Sequence, residues 1–178
     1  MMTVHTRGFT LLEVLIAVLI LAIGLLGLAK LQVLGLHANQ SANLRTEATL
    51  LAYDIADRMR ANRAAYRDAS GHYIDLPGGT TSKQCAYNGS VQDCTSTEMA
   101  QFDLAAWRAQ VTSALPGGVA TVCRDTSPND GGDDNGDGAV DASEYSCSNS
   151  GSVYAIKIWW LDKDSPPAFT RFVTTFQP

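Results

Sequence analysis

One uninterrupted apolar segment near the start of the chain constrains its fold more than any other feature. Within residues 9–29 the only charged side chain is Glu13. A helix rises about 1.5 Å per residue, so this segment would reach roughly 30 Å, the thickness of the hydrocarbon core of a membrane. The segment therefore predicts a helix that crosses a membrane once.

Glu13 distinguishes this segment from an ordinary anchor. A carboxylate one turn inside a spanning helix costs on the order of a few kcal/mol unless it meets a cation or a hydrogen-bond donor. Cleavage after Gly8 would create such a cation, because the new amino group on Phe9 would lie four residues before Glu13. The simpler interpretation is a carboxylate solvated at the membrane interface and favoured by the helix dipole.

The run Gly-Phe-Thr-Leu-Leu-Glu, from Gly8 to Glu13, closely resembles the type IV prepilin signal. In that family a prepilin peptidase cuts after the glycine and methylates the new amino terminus, and the glutamate meets the amino terminus of a neighbouring subunit. The resemblance implies that residues 1–8 are a cleaved leader, that Phe9 is N-methylated and that Glu13 is the assembly carboxylate. The alternatives are a secretory signal, which needs a shorter apolar region and small residues at the cut, and an uncleaved anchor.

The helical pattern continues beyond the apolar segment as an amphipathic helix over residues 30–64. Apolar side chains recur there at spacings of three and four and therefore share one helical face; they are Leu44, Ala48, Leu51, Ile55 and Met59. Asp54 and Arg58, four residues apart, are expected to form a solvated pair on the remaining surface. We predict one helix from residue 9 to about residue 64, with its first half in lipid and its second half under a globular domain.

The remaining residues, 65–178, are predicted to form that globular domain. An apolar stripe indicates a second helix with Asp103 as its N-cap; its members are Leu104, Trp107, Val111 and Leu115. Segments rich in Val, Ile, Thr and aromatic residues indicate antiparallel strands; they are 119–123, 153–161 and 169–176. In the second strand, alternation would turn one of Trp159 and Trp160 inward and leave the other partly covered.

The charge of the chain and its cysteines indicate which class of partner to exclude and which cell compartment to expect. The 13 Lys and Arg stand against 18 Asp and Glu, a formal net charge of −5, which argues against a nucleic-acid partner. All four cysteines follow the apolar segment, as expected for two disulfides in an oxidising periplasm. Their order favours Cys85 with Cys94, inside a Gly- and Ser-rich loop at residues 70–97, and Cys123 with Cys147; the other two connectivities stay open. Zinc is disfavoured because no C-x2-C pair is present.

The acidic segment 133–144 fits the calcium-loop pattern D-x-[DN]-x-[DN]-G-x5-E at every specified position. Gly138 would permit the sharp turn. Six residues would supply oxygen ligands, one of them through its backbone carbonyl; they are Asp133, Asn135, Asp137, Ala139 (carbonyl), Asp141 and Glu144. No flanking helix pair is evident, so a solvated acidic loop is the alternative. Its carboxylates repel one another, so we expect calcium to rigidify the loop.

Residues 103–118 and 153–160 resemble the carboxy-terminal part of minor pilins of the PilV type. The resemblance implies an α+β type IV pilin fold, with a long N-terminal helix packed on a small antiparallel sheet with disulfide-closed loops. It also implies a low-abundance subunit, anchored in the inner membrane with its domain in the periplasm, that later joins the extracellular pilus. The implied partners are prepilin peptidase, other minor and major pilins and the inner-membrane assembly platform.

Three functions compete at this point. The first is a structural minor pilin that starts or modifies pilus assembly, and the second is a pseudopilin of a type II secretion system. The third, from another class, is a membrane-anchored periplasmic enzyme or calcium-dependent binding module. An enzyme is disfavoured because none of the three histidines, His5, His37 and His72, stands in a nucleophile-base motif. Apart from calcium, no cofactor is expected.

Overall fold

The computed structural model describes residues 8–67, Tyr73, Cys85, 93–162 and 169–177. Its elements in chain order are α1 (Leu11–Ala61), α2 (Arg63–Arg67), α3 (Ser96–Ala114), β1 (Val119–Arg124), β2 (Tyr154–Leu161) and β3 (Phe169–Phe176). The predicted α+β fold, a long N-terminal helix packed on a small antiparallel sheet, is confirmed. Residues 1–7 of the predicted leader, His72 and most of the predicted 70–97 loop lie outside the described residues.

The chain divides into two compact units, one ending at Ser41 and the other beginning at Ala42. In the first unit, every residue from Gly8 to Gln40 is exposed, although most of the side chains as far as Leu36 are apolar. α1 is long and apolar enough to cross a membrane, judged by its length and composition. A helix that is apolar on all sides requires lipid or other helices around it.

α1 ends at Ala61 rather than at residue 64, because Asn62 leaves the helix. The Asn62 N–H still donates to the Arg58 carbonyl at 3.0 Å, but its side-chain amide donates to the Ser96 carbonyl at 2.7 Å. Asparagine side chains compete in this way with helical hydrogen bonds. The amide therefore ties the end of α1 to the start of α3, and α2 follows as a separate short helix.

The second unit has its apolar core between the helices and one face of the sheet. The buried face of α1 follows the helical period, and its members are Ala48, Leu51, Ala52, Ile55, Ala56 and Met59. From α3, Trp107 is fully buried, and its indole Nε1 donates to the Leu51 carbonyl at 2.8 Å. The sheet contributes Ile156, Ile158 and Trp160 from alternate positions of β2. Leu44 is only partly buried.

α3 begins at Ser96 with Thr95 as its N-cap, so the prediction of Asp103 as the cap is wrong. The Thr95 hydroxyl accepts the Glu98 N–H at 3.2 Å, and the Glu98 carboxylate accepts the Thr95 N–H at 2.8 Å. This reciprocal capping box satisfies two amides that the first turn leaves open, and it starts the helix before the apolar stripe. Asp103 instead lies in the middle of α3, where its carboxylate accepts the Tyr73 hydroxyl at 3.1 Å.

β1, β2 and β3 form an antiparallel sheet in that order, with Lys157 of β2 opposite Thr121 of β1 and Val173 of β3. The predicted strands are confirmed to within one residue at each end. The expectation that one tryptophan of β2 is only partly covered is wrong, since Trp159 is 1% and Trp160 0% exposed. The physical reason is a second covering layer on the face opposite the helices.

That layer is the β1–β2 connection, residues 125–153. The Tyr145 ring stacks on the Trp159 indole with centroids 5.3 Å apart. The Trp159 Nε1 also donates to the Gly131 carbonyl at 3.4 Å. Gly131 has φ +86°, and a Cβ there would lie 2.7 Å from the Glu144 carbonyl oxygen, so only glycine fits where the two arms of the connection meet.

Candidate functional site

The proposed processing site lies at the exposed start of α1. Gly8, Phe9 and Thr10 precede the helix, and the Phe9 side chain is 84% exposed. Thr10 starts the first turn, because its carbonyl accepts the Glu13 N–H at 3.1 Å and its hydroxyl lies 3.4 Å from the same nitrogen. A Cβ on Gly8 would meet nothing within 4 Å, so the local structure does not require glycine there.

Glu13 lies in the first turn of α1, as predicted for the assembly carboxylate. It is exposed, and its neighbours Leu12 and Val14 are 71% and 51% exposed. A carboxylate in such an apolar setting is solvated only where water or a polar group reaches it. The structure therefore presents Glu13 outward to whatever surrounds α1.

The predicted calcium loop belongs to the covering layer, and its base is held by Lys157. This ammonium is fully buried and lies 2.7 Å from the Asp125 carboxylate and 2.6 Å from the Asp130 carboxylate. It also donates to the carbonyls of Asp130, Tyr145 and Ser146 at 3.0–3.2 Å. These oxygens come from both arms of the connection, so one cation joins its two ends. Lys157 was not predicted as a site residue from the sequence.

The charges at this base set the acidity of its carboxyls. Burial acts to raise the pKa of Asp125, but Lys157 and the Ser127 N–H outweigh it, and the pKa lies below its ordinary value. The pKa of Asp130 is lowered in the same way: desolvation opposes the shift, and Lys157 and the Ser127 hydroxyl produce it. Both carboxyls are therefore held in the charged form that pairs with Lys157.

A second cation binds the first arm of the connection next to Lys157. The Arg171 guanidinium of β3 donates to the Gly131 carbonyl and, at 2.8 Å, to the Asn129 carbonyl.

Two disulfides are present, pairing Cys123 with Cys147 and Cys85 with Cys94, the connectivity that the order of the cysteines favours. The first of these also joins the two arms of the connection.

Within the loop, the predicted ligand side chains accept backbone N–H groups. Asp133 accepts from Gly138 at 3.1 Å, Asn135 from Asp137 at 2.8 Å, and Asp137 from Ala139 at 2.9 Å. Gly138 has φ +83°, the left-handed conformation that the sharp turn requires. These bonds hold the loop in a compact turn with most of its carboxylates exposed.

Glu144 is 6% exposed and lies at the centre of the loop. Its carboxylate accepts the N–H groups of Asp134 at 3.0 Å, Asn135 at 3.1 Å and Asp141 at 3.1 Å. Three amides thus occupy the oxygens that the sequence analysis assigns to calcium. The Ser143 hydroxyl and N–H bind the Asp141 carboxylate and hold its pKa below its ordinary value.

The fit of the loop to calcium is therefore partial. The donor set is hard oxygen, and Asp133 Oδ1 is buried without a hydrogen-bond partner. Yet in the part of the chain that the structure describes, no group of three or more His, Cys, Asp or Glu side chains is arranged to hold a metal ion. The calcium ligands stay a prediction, and binding would require Glu144 to exchange its amide partners for the ion.

A family model described as type IV pilin Tt1218 matches residues 30–105, and the prokaryotic N-terminal methylation motif matches residues 5–29. The two matches adjoin and together cover residues 5–105 of the 178. Neither a search of curated proteins nor a search of solved structures found a match. The methylation motif contains the Gly8–Phe9 junction and Glu13, and fits membrane anchoring and incorporation into a pilus.

Proposed function

Because this chain belongs to the type IV pilins, we propose that it acts as a minor pilin that starts or modifies pilus assembly. Pilins are structural proteins, and the prepilin signal implies processing by prepilin peptidase and association with other pilins. In this proposal the chain is held in the inner membrane by α1, with its globular unit in the periplasm, and then enters the fibre beside minor and major pilins through the inner-membrane assembly platform.

The observation that carries the proposal is the arrangement at the start of α1. The Gly8–Phe9 junction is exposed and precedes the helix, so a peptidase can reach it without unwinding α1. Since packing does not require glycine at position 8, recognition by the processing enzyme is a simple reason for its presence. Cleavage there would place a methylated, positively charged Phe9 at the end of one subunit and Glu13 near the start of another.

The test combines processing with incorporation. Sheared pili from expressing cells would be analysed by mass spectrometry for a chain that begins with N-methylated Phe9, in parallel with cells that lack prepilin peptidase. We expect the mature chain in the pilus fraction only when the peptidase is present. A chain that keeps residues 1–8 and stays in the inner membrane would overturn the proposal. Recovery of the chain only together with components of a type II secretion system would indicate a pseudopilin.

Glu13→Gln tests the assembly carboxylate. It removes one charge from the first turn of α1 and leaves the globular unit unaltered, so we expect normal processing and a normal amount of the variant in the membrane. The amount of the variant in sheared pili should fall at least about tenfold, which corresponds to about 1.4 kcal/mol. Glu47→Gln removes a carboxylate from the same helix beyond the apolar segment and serves as the matched control. Equal incorporation of both variants would count against the role of Glu13.

We further propose that the acidic loop binds calcium. The support is the match of residues 133–144 to the calcium pattern, the left-handed turn at Gly138 and the buried, unpartnered Asp133 Oδ1. Calcium would draw together carboxylates that otherwise repel one another, and the loop would become rigid. The surface of the loop, once calcium has ordered it, would make contacts between subunits or with a target.

Two loop variants separate calcium binding from a general effect of charge. Asp137→Asn alters a predicted ligand, whereas Asp134→Asn removes the same charge at a position that the pattern does not use; both residues are exposed. Calorimetry with calcium, and magnesium as the control ion, should show binding by the parent and Asp134→Asn and at least tenfold weaker binding by Asp137→Asn. No heat and no calcium-dependent protection from proteolysis in the parent would remove the proposal.

A further inference from the structure

A cavity opens beside the Cys123–Cys147 disulfide, between the sheet and the returning arm of the β1–β2 connection. Its volume is about 240 Å³. Thr121 of β1 and the disulfide form one wall, and Ser143, Ser146 and other residues of the returning arm form the opposite wall. Volumes of roughly 300–1,000 Å³ hold drug-sized ligands, so this cavity is suited to something the size of a single ring.

The lining determines which chemistry the cavity accepts. None of its eight lining residues has a carboxylate, ammonium, guanidinium or imidazole side chain. A charged ligand would therefore lose its hydration without gaining a counter-charge. The lining residues instead carry hydroxyls (Thr121, Ser143 and Ser146), an amide (Asn149) and an aromatic ring (Tyr145). These groups match a neutral ligand that carries several hydroxyls on an otherwise apolar ring.

The aromatic part of the lining is rigid. The Tyr145 ring is stacked on Trp159 with an interplanar angle of 15°, and Trp159 is itself 1% exposed. A ring fixed in this way contributes contact area without losing rotamer freedom when a ligand binds. Tyr145 also keeps its backbone in place, because its carbonyl accepts from the Lys157 ammonium at 3.0 Å.

The backbone of the cavity is held in an unusual conformation. Ser146 and Asn149 are the two residues other than glycine with positive φ in the described part of the chain, both at 50°, and both line the cavity. Such strain concentrates at functional sites, where the surrounding structure imposes it. At Ser146 the carbonyl accepts from the Lys157 ammonium at 3.2 Å, which helps to hold the backbone in place.

We propose that this cavity binds a neutral polyhydroxylated ring, such as a neutral hexose or N-acetylhexosamine residue of a glycan. The apolar face of the sugar would lie against Tyr145, and the hydroxyl of Ser146 and the amide of Asn149 would pair with its hydroxyl groups. The Ser143 hydroxyl donates its proton to the Asp141 carboxylate at 2.6 Å, so it would act only as an acceptor. Lys157 is a positioning residue that fixes the wall. The inference goes beyond the proposed minor-pilin function and requires neither calcium nor assembly.

The test uses the full chain purified in a detergent without a sugar headgroup. Saturation-transfer NMR would be recorded with methyl glycosides of glucose, galactose, mannose, N-acetylglucosamine and N-acetylgalactosamine, and with sialic acid as the charged comparison. Ala142→Trp fills the cavity from an exposed position, and Asn149→Ala removes one polar group from its rim. Asn43→Ala, an exposed asparagine on α1, is the matched control.

We expect binding of at least one neutral glycoside at millimolar concentration, at least tenfold weaker in Ala142→Trp and Asn149→Ala and unchanged in Asn43→Ala. The thermal unfolding temperature of each variant, measured in the same detergent, shows that the fold is retained. The proposal is overturned if no neutral glycoside binds the parent chain, if sialic acid binds as well as the neutral sugars, or if Ala142→Trp keeps full binding with an unaltered unfolding temperature.

Discussion

Replacement of Lys157 by methionine is the most informative change to the globular unit. Methionine has a similar length and no charge, so the substitution removes the cation and retains most of the packing volume. The side chains of Lys157 and Asp125 are both fully buried and their charged atoms lie 2.7 Å apart. The variant therefore leaves the Asp125 carboxylate buried without its counter-charge.

The structure sets the size of the effect. Breaking a buried ion pair from one side costs about 3–5 kcal/mol, so we expect Lys157→Met to lower the free energy of unfolding by about 4 kcal/mol. Asp125→Asn combined with Lys157→Met removes both charges, and it should be less destabilising than Lys157→Met alone. Asp130 is 42% exposed, so Asp130→Asn should cost only about 0–1 kcal/mol.

The assay is urea unfolding of the full chain in detergent micelles, followed by tryptophan fluorescence. All three tryptophans, Trp107, Trp159 and Trp160, lie in the unit that begins at Ala42, so the signal reports that unit alone. Unfolding of Lys157→Met at the same urea concentration as the parent chain would refute this prediction. A loss of stability in Asp130→Asn as large as that in Lys157→Met would also refute it.

The same pair predicts a dependence on pH. Folding lowers the pKa values of Asp125 and Asp130 below the ordinary 3.8. A carboxyl of this kind contributes stability that is complete above the ordinary pKa and is lost as the pH falls through the lowered, folded value. We expect the parent to lose stability below about pH 4, and Lys157→Met to have lost this acid-sensitive contribution at every pH. If the free energies of unfolding of the parent and of Lys157→Met changed with pH in the same way, this prediction would be contradicted.

Two further changes test how the fold is closed and started. The double variant Cys123→Ser/Cys147→Ser opens a bridge that spans 24 positions and should lower the free energy of unfolding by about 3.5 kcal/mol. The matching double variant of the Cys85–Cys94 bridge, which spans 9 positions, should lower it by about 2.6 kcal/mol. Urea unfolding of both double variants provides the comparison, and equal losses would contradict the chain-entropy argument. Thr95→Ala removes the capping box of α3 and should cost about 1 kcal/mol in the same assay, whereas the nearby, partly buried Thr97 is not the cap and Thr97→Ala should cost less.

Much of the fold could be predicted because its periodic signals are strong. The buried face of α1 around Ile55 and Met59 recurs every three or four residues, and β1, β2 and β3 are short runs of β-branched and aromatic residues between turns. The start of α3 was missed because Asp103 and Thr95 are both suitable caps. Glu98, three residues after Thr95, decides between them by completing the reciprocal pair.

The covering layer could not be predicted from its own sequence. The connection between β1 and β2 is rich in Asp, Ser and Gly, without a hydrophobic period, and such a segment predicts an exposed loop. A signal was nevertheless present in β2, where Lys157 stands alone among apolar residues. A lone cation in a buried strand requires acidic or carbonyl partners. Asp125 and Asp130 were the nearby candidates, but only the folded chain shows that they meet Lys157.

The closure of the acidic loop at its base has a practical consequence for its tip. Residues 134–139 are exposed, whereas Lys157, Arg171 and the Cys123–Cys147 bridge anchor the arms on either side. Tolerance to insertion depends on whether the altered backbone is buried or bonded to the rest of the fold. A short epitope or a dye-accepting peptide grafted between Gly136 and Gly138 would therefore leave the anchors intact, at the expense of the proposed calcium ligand Asp137, and make this subunit visible in living cells.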